Sequence, residues 1–122
     1  VQTCALPILH EALVILKQEG LEQAWDRHLK HHQELRAGLE SLGIGFIVDE
    51  PYRLPQLNTV TIPDGVEDAA VRKHLLSEYN LEIGAGLGAL AGKVWRIGLM
   101  GYASRSENVL LCVNALRAAL NR

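Results

Sequence analysis

Residues 94–101, VWRIGLMG, leave the chain few choices. Trp95, Ile97 and Leu99 alternate with Val94, Arg96, Gly98 and Met100, the period of a strand with one face packed on a core. An arginine in the middle of such a strand needs a counter-charge, because an unpaired guanidinium taken out of water is costly and its neighbours offer no carboxylate. Two readings are open from the strand alone: Arg96 binds a ligand anion, or it pairs with a structural acid elsewhere in the fold. Gly98, on the same face two residues on, removes a side chain from the space beside the guanidinium and lets a small ligand approach the backbone.

A chain of 122 residues, 48% hydrophobic, has the size of one compact domain with a real core. Its net charge of -2, with both signs interspersed, gives no reason to expect a nucleic-acid or anionic-membrane partner. No apolar run reaches the roughly 18 residues of a membrane span, and the N-terminus lacks the pattern of a signal peptide. Cys4 and Cys112 are too few and too far apart for a disulfide framework. Cys112 falls on the apolar side of a helical pattern, as a reduced core thiol would, which favours a cytoplasmic setting.

Residues 1–8, VQTCALPI, show no amphipathic period and read as a leader foreign to the rest of the chain. From Leu9 a long helical stretch is expected over 9–43. Its second part carries Leu21, Trp25, His28, His32, Leu35, Leu39 and Leu42 at alternating steps of four and three, one helical stripe. Gly20, which costs about 1 kcal/mol in a helix interior relative to alanine, marks a bend or break, and Gly43 a left-handed cap. A helix this long exceeds what one small core can cover and reads as a connector to something larger.

The remaining domain, 44–122, alternates short elements. Strands are expected at 44–48, 58–62 and from 81 to 83, the last running into Gly84, Gly86 and Gly88; the arginine strand comes next. A helix over 67–79 turns Ala70, Val71, His74, Leu75 and Tyr79 inward and is closed by Asn80. Ser104 and Glu107 stand in capping-box spacing before a last helix with Val109, Cys112, Val113, Leu116 and Leu120 inward. The fold class is α+β: a small, mostly antiparallel sheet with helices on one face, preceded by the connecting helix.

Three chemical signals fail on inspection. Gly92-Lys93 resembles part of a phosphate loop, but Val94 stands next where a Ser or Thr is needed, and a strand opens where a helix must. His28 and His32 lie one turn apart, yet no third ligand or zincin glutamate accompanies them, so they read as residues at the edge of a helix face and no metal is expected. Lys17, Lys30, Lys73 and Lys93 each have an ordinary amphipathic or turn context.

The order of several separated segments resembles the C-terminal domain of the alanine-glyoxylate and serine-glyoxylate aminotransferases, class V members of the fold-type-I pyridoxal-phosphate enzymes. The segments are LHEAL at 9–13, EGLE at 19–22, Arg27-His28, RLP at 53–55, TVTIP at 59–63, LEIGAGLG at 81–88, GKVWRIGLMG at 92–101, and ENV with ALRAAL in the last helix. The resemblance implies that Arg96 binds the α-carboxylate of the amino-acid or keto-acid substrate, and that Gly84, Gly86 and Gly98 lie near the active-site mouth without a catalytic role. It implies a pyridoxal 5'-phosphate cofactor and a homodimer for the complete enzyme. It also implies that the Schiff-base lysine and most of the cofactor site belong to a large N-terminal domain upstream of Leu9, leaving this chain, a truncated piece, inactive by itself. The competing expectation, from a different class, is a free-standing, non-catalytic α+β module that binds an amino acid or carboxylate through Arg96.

Overall fold

A computed structural model describes residues 2–121. Two helices open the chain, α1 (Gln2–Glu19) and α2 (Leu21–Ser41). They break at Gly20, whose φ of 93° is a conformation other residues resist. α1 starts before the expected Leu9: residues 2–8 continue the helix despite Pro7, which near a helix start removes only one internal bond. Gly43, at φ 73°, ends α2 as expected, and Ile44 N–H donates back to Leu39 O at 3.0 Å.

The sheet has three antiparallel strands, β1 (Leu57–Thr61), β2 (Gly84–Ala85) and β3 (Val94–Gly98), in the order β1-β3-β2. The arginine strand is therefore the central one. Pairing puts Thr59 opposite Arg96 on one side and Gly84 opposite Arg96 on the other. Helices α3 (Asp68–Tyr79) and α4 (Ser106–Ala119) pack with the C-terminal half of α2 on one face of the sheet. Trp95, Val60, Leu35, Leu39, Leu75, Leu116 and Ile44 are fully buried between them.

Asp68 ties two layers together. It accepts from Trp95 Nε1–H at 2.9 Å and from the Arg72 guanidinium at 2.8 Å, and the Arg72 hydrogen bond holds its carboxyl below the usual carboxylate range. Glu67 caps the same helix, accepting from the N–H groups of Ala69 and Ala70. Asn80 closes it in the left-handed conformation, as expected.

Four expectations differ from the fold. The segment 44–48 makes only one bridge, Phe46 to Val60, because the chain turns away through the short helical turn Glu50–Tyr52. The strand expected over 81–83 forms at Gly84 instead, since Leu81 N–H still belongs to the helix cap, donating to Leu75 O. Ala70 and His74 are exposed, leaving α3 a narrower inner stripe of Val71 and Leu75. Ser104 does not cap α4: Arg105 occupies the cap position without a side-chain bond, and Ser104 is buried against α2.

Candidate carboxylate-binding site

Arg96 stands half-buried on the sheet face away from the helices, with Thr59, Gly84 and Gly98 on the same face. Its Nε–H donates to Ala85 O at 2.8 Å. This bond aims the group along β2, and Nη2 lies over Gly84, where a Cβ would come within 3.4 Å of it. Among the described residues Arg96 forms no ion pair, and its two terminal nitrogens make no hydrogen bond. The structural acid that the strand left open is not found there. What results is a guanidinium anchored at Nε with the Nη1/Nη2 end unused, the donor pair that matches the two oxygens of a carboxylate.

The three glycines are not equivalent. A Cβ on Gly86 would fall 2.0 Å from Leu90 O, so this glycine lets the 84–93 turn close. A Cβ on Gly98 would meet only Met100 Cε, at 3.9 Å.

The segment has close relatives among known proteins. No family model matches. A solved structure of alanine-glyoxylate aminotransferase from Nostoc sp. is 52% identical, with a TM-score of 0.90 over 92% of this chain and 30% of that one. The (S)-ureidoglycine-glyoxylate transaminase of Bacillus subtilis is 40% identical over 120 residues, 98% of this chain. The alanine-glyoxylate aminotransferase of Rattus norvegicus is 40% identical over 117 residues. The chain belongs to the class V aminotransferase family. It spans about 29% of the length of the curated relatives it matches, and its α+β fold is that of the C-terminal part of these enzymes.

Within this aminotransferase segment, α2 holds the chain on either side of the site. Arg27 Nη1–H donates to Gly101 O at 2.8 Å and to Ser104 O at 2.9 Å, while its remaining nitrogens bind Glu19 of α1. His28 has a defined tautomer: Nδ1–H donates to Ala24 O, and Nε2 accepts from Gly101 N–H at 3.1 Å. His31 pairs with Ser104 Oγ at 3.1 Å. His32 Nδ1–H donates to Asn58 Oδ1 at 2.6 Å, and Asn58 donates onward to Ile97 O. The histidines thus bind the fold together from inside, and no group of three metal-ligating side chains occurs among the described residues.

Sequence reasoning missed Arg27, Asn58 and Asp68. Only the Arg27-His28 pair carried a trace of the first, as a motif without a mechanism. The four lysines are all exposed. Burial pushes the Cys112 thiol up to about 12, which makes it an inert core group. No helix among the described residues is long and apolar enough to cross a membrane.

Proposed function

We propose that this chain is the substrate-carboxylate-binding part of a pyridoxal-phosphate aminotransferase that moves an amino group from alanine or serine to glyoxylate. In this reading 44–122 is the small domain and 9–43 is the connecting helical stretch, which α1 extends back to Gln2. The observation that carries the proposal is the unused Nη1/Nη2 end of Arg96 on the open sheet face. Each charge-assisted bond from such a fork contributes about 1.5–3 kcal/mol. Two of them fix the substrate's carboxylate plane, and with it the direction of the bonds at Cα. The cofactor, when bound, supplies the electron sink for transamination. In this reading the Schiff-base lysine and most of the cofactor site belong to a large domain upstream of Leu9, as the resemblance implies, and the segment alone is inactive. A homodimeric enzyme in the cytoplasm completes the proposal.

The similarity to the Nostoc enzyme makes a direct test practical. Residues 9–122 grafted in place of the matching segment of that enzyme should restore transamination. Arg96→Ala in the graft should then raise KM for both amino donor and glyoxylate by about 100-fold or more, the size expected for two lost charge-assisted bonds. Cofactor absorbance should be intact. Unaltered KM values would remove Arg96 from the site.

A further inference from the structure

Among the described residues one buried side-chain nitrogen or oxygen lacks a hydrogen-bond partner: Nη1 of Arg53. Native folds satisfy almost all such groups, and a donor on a cation is among the costliest to leave bare. Residues 53–55 carry part of the family resemblance, yet the carboxylate-anchor reading gives Arg53 no task. The side chain is nonetheless fixed in place. Nε–H donates to Val48 O at 2.8 Å, and the guanidinium lies over the Phe46 ring, 4.6 Å from its centroid. Arg53 forms no ion pair among the described residues. Glu50 feels its charge but gives both carboxylate oxygens to Arg36. Arg53 therefore repeats the arrangement of Arg96, a guanidinium held at Nε by a backbone carbonyl with Nη1 and Nη2 unused.

Unlike Arg96, Arg53 lines a cavity. About 150 Å³ of space lies between the 46–54 segment and β1, walled by Phe46, Val48, Leu54 and Leu57. Asn58 and Thr59 line it from β1. Asn58 is already spent, its Oδ1 taken by His32 and its Nδ2 by Pro55 O and Ile97 O. Thr59 Oγ1 makes no hydrogen bond among the described residues, which leaves its hydroxyl free to donate. One fixed cation, one free hydroxyl and apolar walls together suit a small acid with a short hydrocarbon tail. A single positive charge that Glu50 also feels matches a monoanion and disfavours a dianion. Nη1 has no contact with solvent, so an oxygen reaches it only as the wall gives. Tyr52 and Leu54, 78% and 62% exposed, are the part of the wall free to do so.

We infer that this cavity binds a small aliphatic monocarboxylate, with the Arg53 guanidinium holding the carboxylate and Thr59 Oγ–H donating to one of its oxygens. The site is separate from that of Arg96, whose guanidinium leans toward β2 through its bond to Ala85 O. It does not depend on the carboxylate-anchor reading.

Saturation-transfer NMR with butyrate tests the site on the 122-residue chain and on the grafted enzyme, both carrying Arg96→Ala so that Arg96 contributes nothing. Butyrate should bind both, and butyramide, its neutral counterpart, at least about tenfold more weakly. Arg53→Gln should weaken butyrate binding by about tenfold to a hundredfold, with Arg53→Lys in between because lysine lacks the planar fork. Thr59→Val, close to the same shape, should weaken it about twofold to tenfold. This variant keeps the test alive if the Arg53 variants lose the fold, which circular dichroism reports. No butyrate signal in either protein, equal binding of butyramide, or Arg53→Gln and Thr59→Val proteins that bind like their parent overturn the inference. So does inorganic phosphate that displaces butyrate at lower concentration than acetate does, since the site would then prefer a dianion. Binding by the chain but not by the grafted enzyme would mean that a group of the larger protein already fills the cavity, and it too rules out the free acid.

Discussion

The two ends of α2 carry the same kind of helical stripe and meet opposite fates. At its C-terminal end Leu35, Leu39 and Leu42 are buried against the sheet and α4, and His32 is fastened to Asn58. At its N-terminal end Leu21 and Trp25 are 53% and 57% exposed, continuing an apolar surface of α1 that includes Leu9 and Leu13, each 56% exposed. Pattern dictates that a residue will seek cover, but only the rest of the fold decides whether cover lies within the same chain. The covered half is where the arginine strand is built. The bare half is the face against which the proposed large domain would pack.

Truncating Trp95 tests the covered half most severely. Trp95→Ala should cost about 3–5 kcal/mol, enough to remove a cooperative thermal transition followed by circular dichroism. Gly38→Ala pushes a methyl into Val113 and should cost about 1–3 kcal/mol in the same measurement, because this part of α2 has no room to give. Asp68→Asn should cost about 1 kcal/mol and change the response to acid. The carboxyl of Asp68 titrates lower in the fold than in the unfolded chain. Its stabilisation is therefore complete above the ordinary carboxylate pKa and is lost as pH falls through the depressed folded value. Denaturant midpoints of the asparagine variant should fall less steeply below pH about 4 than those of the parent. The smallest effect is expected on the bare half. Leu13→Gln with Trp25→Gln should shift stability by no more than about 0.5 kcal/mol each in the same measurement, whereas a loss as large as that of Trp95→Ala would show that this face is covered after all.

The helix boundaries set by glycine, the inner stripe of α4 and the two faces of β3 were legible in the sequence, because each arises from a local periodicity or a single backbone conformation. Arg96 was singled out by the same logic, as a charge in a pattern that should hold none. Hydrogen bonds between distant segments could not be read. Ser104 and Glu107 have capping-box spacing, yet Ser104 is 73 residues from the histidine that engages it, and that partner outcompetes the cap. The same distance hides Gly101 N–H from His28 Nε2, and a shorter one hides Asp68 from Trp95. Strand pairing was obscured at 44–48 for a related reason: an apolar run marks affinity for a sheet, and the turn after it decides how much of the run can pair.

Glu19 and Arg27 stand on opposite sides of the Gly20 break, eight residues apart, joined through Nε and Nη2 of the guanidinium. The two helices are thus joined by a hydrogen-bonded glycine turn and by one electrostatic brace. Both partners are partly open to solvent, so dissolved ions compete with the brace while leaving the joint untouched. Raising the salt concentration should therefore weaken the hold of α1 on α2, while the same guanidinium keeps its bond to Gly101 O in the loop beyond the arginine strand.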